Sequence, residues 1–195
     1  MNVIGITGSM GSGKTTAADF FKKRGIKVFD ADKIAKDLIR PGQPCFNLIV
    51  RYFGSEILIG NEIDRKKMAG IVFRSKKHLN KLCSIVHPEV IRVIKKEIRK
   101  AKSKKNIVLD VPLLYESGID KLCDVVIVVR STQSQQVERV HKKTGLAKSE
   151  ILRRIRMQMP IQAKMQRADY IIDNRKTLNQ TKIQAEDLCK KVLNK

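Results

Sequence analysis

Eight consecutive residues near the start of the chain, Gly8-Ser9-Met10-Gly11-Ser12-Gly13-Lys14-Thr15, have the G-x-x-x-x-G-K-[ST] spacing of a phosphate-binding loop. Small residues at Gly8, Gly11, Ser12 and Gly13 let successive backbone N–H groups turn inward onto phosphate oxygens, and the helix that follows adds the partial positive charge of its N-terminus. In such a loop Lys14 reaches the β- and γ-phosphates of a nucleoside triphosphate, and the Thr15 hydroxyl ligates Mg²⁺. The competing reading is a glycine-rich turn before a helix, but it leaves the Lys-Thr pair unexplained.

Two acids and a set of arginines are placed to complete that chemistry. Asp110 closes the apolar run Asn106-Ile-Val-Leu-Asp110, where a carboxylate can orient Mg²⁺ or its water shell; a turn acid after a strand is the alternative. Asp32 follows the short run Lys27-Val28-Phe29, at the strand end where open α/β sheets gather their ligands. There it suits the task of taking or orienting the proton of an acceptor hydroxyl, a role compatible with capping a helix that starts at Lys33. The segment from Arg139 through Arg153, Arg154 and Arg156 supplies guanidinium groups that can fork onto phosphate from a mobile lid, or else forms a solvated basic helix.

These residues need a scaffold, and the hydrophobic pattern describes one. Val3–Thr7, Lys27–Phe29, Asn106–Asp110, Asp124–Val129 and Tyr170–Ile172 read as five strands, the third and fourth as continuous apolar runs of the kind covered on both faces. Helices are expected at Lys14–Lys23, Gln133–Lys143, Lys148–Met157, with Pro160 as its stop, and Leu178–Leu193. Strands alternating with helices predict an α/β fold with a doubly wound, five-stranded parallel sheet. From Lys33 to Lys102 the pattern is mostly helical, and His87-Pro88 is expected to join two helices there. We expect one domain over 1–195: a core of about 1–30, 104–138 and 166–195, a helical insertion of about 31–103, and a lid of about 139–165.

Composition restricts the partners. With 42% hydrophobic and 31% charged residues, the 195-residue chain has the balance of a folded domain. Its longest apolar run, Val125 to Val129, is far below the roughly 20 residues of a membrane span. No export signal is read at the start, so a cytoplasmic, membrane-free protein is expected. Cys45, Cys83, Cys123 and Cys189 lack C-x-x-C spacing and read as buried free thiols. The net charge of +22 comes from basic residues spread along the whole chain, with aromatics at only 5% to stack on bases. Specific nucleic-acid binding is therefore not expected. Another small-molecule P-loop kinase, or a basic NTP-regulated nucleic-acid binder, is the rival to a kinase built on the residues above.

Beyond the phosphate loop, several short motifs resemble one family, the dephospho-CoA kinases, over almost the whole chain. They are Ile6-Thr-Gly8 leading into Gly11-Ser-Gly-Lys-Thr-Thr16, Asp30-Ala-Asp32 with Ile34-Ala35, Pro41-Gly-Gln-Pro44, and His87-Pro88. Leu109-Asp-Val-Pro-Leu-Leu-Tyr-Glu116 with Gly118, Arg154-Ile155 with Gln158-Met-Pro160, and Ala168-Asp169 with Ile172-Asp-Asn174 continue the series. The resemblance implies a P-loop NTP hydrolase-like fold and transfer of the ATP γ-phosphoryl group to the ribose 3′-hydroxyl of dephospho-CoA, with Mg²⁺. It implies an ATP site of Gly8, Gly11, Ser12, Gly13, Lys14, Thr15, Thr16, Arg139 and Asn174, the last near the adenine. It places Asp32, His87, Leu113, Tyr115 and Glu116 on the acceptor side, Arg154 at the transition state, and Thr15 with Asp110 on the metal. His87 as a helix-junction residue and Tyr115 as core are the alternatives. Two departures stand out: Ser9-Met10 where the family often has Gly-Ile, and Lys143-Thr-Gly-Leu146 where an arginine commonly precedes Asp-Gly-Leu. Lysine there offers a point charge in place of a planar fork.

Overall fold

The computed structural model describes residues 2–101 and 106–193. Along the chain run β1 (Val3–Thr7), α1 (Lys14–Lys23), β2 (Lys27–Asp30), α2 (Ala31–Leu38), α3 (Phe46–Phe53), the short strands β3 (Leu58–Ile59) and β4 (Glu62–Ile63), α4 (Arg65–Val72) and α5 (Lys76–Lys100). They are followed by β5 (Ile107–Asp110), β6 (Val125–Arg130), α6 (Gln133–Thr144), α7 (Lys148–Arg156), α8 (Ile161–Gln166), β7 (Tyr170–Asp173) and α9 (Leu178–Leu193). Contacts divide the chain into two compact units, one holding the residues up to Asp30 and from Ile98 onward, the other Ala31–Glu97. The expected insertion boundary near 103 and 104 lies outside the described residues, as does Lys102, the expected end of the helix that closes at Lys100.

In the first unit the five expected strands form one parallel sheet in the order β2-β5-β1-β6-β7. From β1 the chain winds first to β2 on one side and, after β5, to β6 and β7 on the other. The winding therefore reverses next to β1, and the crevice at its C-terminal end is where an open α/β sheet takes a ligand. Gly8 to Gly13 occupy that end. On one face, Ile4, Ile6, Val108, Ile127, Val129 and Ile172 meet α1 through Ala17, Ala18 and Phe21, and α9 through Ala185, Leu188, Cys189 and Val192. The alanines let these helices lie close to the strands, and each fully buried side chain such as Phe21 stabilises by about 1.5–3 kcal/mol. The opposite face is covered too: a Cβ on Gly5 would lie 2.8 Å from Cys123 Sγ and 3.2 Å from Leu114 Cδ2. Two carboxylates tie the strand entries, Asp124 accepting from Val3 N and Asp169 from Val126 N, each at 2.7 Å.

The exit of β7 is tied by charge. Asp173 accepts from Arg130 on β6 at 2.8 Å and from Arg175 Nη2 at 2.7 Å. The Arg175 guanidinium, helped by Arg130, holds the Asp173 carboxyl well below the usual carboxylate range. A depressed folded-state pKa adds stability that is present above the unfolded pKa, about 3.9 for Asp, and lost as the pH falls through and below it. Chemical denaturation of Asp173→Asn should therefore show a deficit against the parent at pH 7 that narrows steadily below about pH 4. A deficit that stays constant with pH would remove this pairing from the acid response.

In the second unit, Leu38, Cys45, Ile49, Phe53, Ile57, Ile63, Met68, Val72, Val86, Val90 and Ile94 are buried. Three sequence expectations are corrected. The two helices expected to join at His87-Pro88 are one helix, α5, running through Pro88. Proline inside a helix removes a hydrogen bond and costs about 3 kcal/mol. The buried series Val86, Val90, Ile94 at i, i+4, i+8 keeps one apolar face continuous across it, and packing outweighs propensity. The mostly helical stretch also contains the β3–β4 hairpin, hidden because strands of two residues carry no readable period. The first helix of this unit starts at Ala31, not Lys33, so Asp32 lies within its first turn and does not cap it. Among the described residues no helix is long and apolar enough to cross a membrane.

Candidate active site

The phosphate loop is held from below by its own glycines and from the side by β7. A Cβ at Gly8 would collide with the Val129 carbonyl oxygen of β6, so only glycine lets the chain leave β1 there. Ser12 N donates to Ser9 O at 3.1 Å, and Gly13 starts α1 in a left-handed conformation, φ 95°. Asn174, just past β7 and buried, occupies the space that a Cβ of residue 13 would need. Its Nδ2 donates to Ser12 O at 2.8 Å, its Oδ1 accepts from Thr181 Oγ1 at 2.8 Å, and its own N–H donates to Arg130 O at 2.8 Å. Gly13→Ala should thus combine left-handed strain with displacement of Asn174, lowering affinity for ATP·Mg by about tenfold or more. Gly25→Ala is the control, since Gly25 has a similar φ of 77° and open space around it. Equal nucleotide affinity in the two variants, measured by calorimetric titration, would dissociate Asn174 from the loop.

Lys14 is buried in the loop, and its Nζ donates to Ser9 O at 3.2 Å. One residue on, the exposed Thr15 Oγ1 donates to Asp110 Oδ2 at 3.2 Å. Asp110 is the buried last residue of β5, in register with Ile6 of β1 and Asp30 of β2. The Ser12 hydroxyl is buried without a hydrogen-bond partner.

Met10, whose place in the loop the sequence left unexplained, packs against Val137, Val140 and Ile151 of α6 and α7. Its N–H donates to Gln158 Oε1 at 3.0 Å. Helix α6 is started and stopped by local chemistry: a Thr132–Gln135 capping box at one end and left-handed Gly145 at the other. Near its middle Arg139 donates through Nη2 to Asn174 O at 3.2 Å, while Nη1 is buried without a partner, 3.9 Å from the position of a Cβ on residue 13. A buried guanidinium N–H left open beside a phosphate loop is a donor in want of an anion. Arg154, on α7, donates to Glu150 of the same helix.

The segment after β5 is more internal than its motif suggested. Leu113 is half-buried, Leu114 fully buried, and Tyr115 buried with its hydroxyl unpartnered. The Arg167 guanidinium lies 4.2 Å from the Tyr115 ring centroid; burial raises the Tyr115 phenol pKa, and Arg167 opposes that shift. Glu116 Oε1 accepts from Met159 N at 2.9 Å and pairs with Lys164 Nζ at 3.0 Å. Lys164 is wholly buried; burial pushes its ammonium below the usual range, and Glu116 resists that shift. Sequence reasoning gave no role to Gln158, quoted only within a motif, and did not single out Lys164. The only available signal for Gln158 was its place in the Gln-Met-Pro motif. The first unit thus brings together Gly8 to Thr16, Asp110, Arg139 and Asn174, and also holds Leu113, Tyr115, Glu116 and Arg154. Asp32, exposed on α2, and His87, half-buried on α5, belong to the second unit. Burial, then Asp120 and Asp124, push the Cys123 thiol up to about 12, which makes it a poor nucleophile.

A glycine loop ending in Lys-Thr, a strand-end aspartate bonded to that threonine, and an arginine of α6 beside the loop define a P-loop kinase. The sequence profile of dephospho-CoA kinases matches residues 2–180. A dephospho-CoA kinase of Lactobacillus johnsonii is 39% identical over 192 residues, 97% of each chain. Among solved structures, TT1252 from Thermus thermophilus superposes with a TM-score of 0.83 at 31% identity, covering 98% of this chain and 97% of the other. The dephospho-CoA kinase from Campylobacter jejuni gives 0.71 at 25% identity, covering 99% and 98%. This chain belongs to the dephospho-CoA kinase family.

Proposed function

We propose that the residues described above carry out the family's reaction, transfer of the ATP γ-phosphoryl group to the ribose 3′-hydroxyl of dephospho-CoA, which completes coenzyme A synthesis. The observation that carries the assignment is the Thr15–Asp110 bond beside buried Lys14, which puts a hydroxyl, a carboxylate and a fixed cation at the foot of one phosphate loop. Backbone N–H groups from Gly11 to Thr16 hold the phosphates, and Lys14 meets the charge on the β- and γ-oxygens. Arg139 offers its open Nη1 to the nucleotide. Thr15 and Asp110 are oxygen donors that suit Mg²⁺ shared with substrate phosphates. The metal, when bound, neutralises charge developing on the β- and γ-oxygens.

The remaining roles follow the chain's division. The helical unit Ala31–Glu97 receives the acceptor, with Asp32 orienting its hydroxyl or taking its proton and His87 lining it. Leu113, Tyr115 and Glu116 are assigned to the acceptor as well, and Asn174 shapes the nucleotide site through Ser12. The stretch of about 139–165 acts as the lid, excluding water that would otherwise take the phosphoryl group, and Arg154 leaves Glu150 to meet the transferring group. We place the enzyme in the cytoplasm, where the free thiols of Cys45, Cys83, Cys123 and Cys189 stay reduced.

The test is to incubate the protein with ATP, Mg²⁺ and dephospho-CoA and follow the acceptor by mass spectrometry. One added phosphate is expected with Mg²⁺ present and none after chelation with EDTA. Transfer to a different acceptor, or transfer undiminished by EDTA, would overturn the substrate and the metal assignments respectively.

A further inference from the structure

Two loops of the core unit converge on one stretch of chain, Gln158 to Lys164, between α7 and the middle of α8. At one end Gln158 Oε1 accepts the N–H of Met10, so that this phosphate-loop donor is turned to the protein. At the other end Lys164 Nζ donates to Pro112 O at 2.8 Å and pairs with Glu116 at 3.0 Å. Thr7, the last residue of β1, shares the Pro112 carbonyl through its Oγ1 at 3.2 Å. Between them Met159 N donates to the same Glu116 oxygen that meets Lys164. Pro112 is only two residues from Asp110, and Met10 only four from Lys14.

A lysine with no exposed surface is an expensive way to fill space. Its desolvation is offset by one carboxylate, Glu116, that itself reaches the surface, so the pair is poorly explained as a source of stability. What it supplies is geometry: a cation with three donors fixes a carbonyl and a carboxylate at set distances, as a methylene chain would not. Gln158 does the same for one peptide of the phosphate loop. We infer that Gln158 and Lys164 are positioning residues, joining the phosphate loop and the loop after Asp110 through the last stretch of the lid, so that with the lid closed the two loops keep a common register during phosphoryl transfer. Neither residue needs to touch a substrate for this, and the inference does not depend on which group serves as base.

A double-mutant cycle on turnover tests it. Gln158→Leu and Lys164→Met are measured singly and together for kcat/KM with dephospho-CoA at saturating ATP·Mg, alongside the thermal midpoint of each variant. Calorimetric titration with ATP·Mg reports the Met10 end without requiring turnover. Each single change is expected to lower kcat/KM by about tenfold or more. Groups acting through one brace are non-additive, so the double variant should be better than the product of the two losses by at least about threefold. Lys164→Arg, which keeps the cation, should recover part of the loss. Losses that simply multiply, single variants within twofold of the parent, or thermal midpoints that fall while kcat/KM holds, would each overturn the brace. If Lys164→Met does not fold, Lys164→Arg takes its corner of the cycle, where a non-additive loss supports the brace and a multiplicative one overturns it. Parent turnover in the same assay keeps a failure of the family reaction separate from a failure of the brace.

Discussion

Alanine at position 14 is expected to lower kcat by about 10²–10³-fold or more, the scale of losing one preorganised charge donor at a transition state. Lys14 is buried, so its charge works against little competing water, and the charge that develops on the transferring oxygens meets no equal elsewhere in the loop. The fold should survive, because Ser9 O, which accepts from the Lys14 ammonium, also accepts from Ser12 N and is not orphaned by the change. Arginine is a poor substitute: its planar fork is larger than the compact ammonium and presents its donors in a different geometry. The measurement is kcat with both substrates saturating, compared with the thermal midpoint. Turnover within tenfold of the parent in a folded Lys14→Ala protein would remove Lys14 from the chemistry.

What could be read in the sequence follows the range of the interaction responsible. The five strands and the phosphate loop were legible because each is written in adjacent residues: apolar runs such as Val125 to Val129, or the fixed spacing from Gly8 to Thr15. Asp110 could be named because a strand end is a local feature. The meaning of Met10 was not legible, since it is set by Val137, Val140, Ile151 and Gln158, more than a hundred residues away. Nothing in the sequence singles out Lys164, and only the tertiary fold shows it sealed against Pro112 and Glu116. Glu116 and Asn174 illustrate a subtler limit. Their motifs mark them as site residues, yet the Glu116 carboxylate meets Met159 and Lys164, and the Asn174 amide is spent on Ser12 and Thr181. A motif records that a position matters without saying whether it meets the substrate or holds what does. The continuous helix through Pro88 shows local preference losing to packing, by the buried row Val86, Val90 and Ile94.

Asp32→Asn separates the acceptor's chemistry from the donor's. Asp32 sits in the first turn of α2, where the helix N-terminus favours a negative side chain. Asparagine keeps the shape and one acceptor oxygen but cannot take a proton, so a base or orienting role predicts a fall in kcat of about 10²–10⁴-fold. ATP affinity should stay within a few-fold, because the phosphates are proposed to be held by Gly11 to Thr16 and Lys14, which belong to the other unit of the chain. KM for dephospho-CoA should change far less than kcat, since the carboxylate's work falls in the transition state and not in ground-state binding. Rapid-quench turnover combined with calorimetric ATP·Mg binding reads all three quantities. A large loss of nucleotide affinity at unchanged kcat would instead put Asp32 on the metal, leaving Asp110 to share that task. A rise in KM alone would make Asp32 a binding contact, and the proton of the 3′-hydroxyl would then have to leave by way of the phosphoryl group or water.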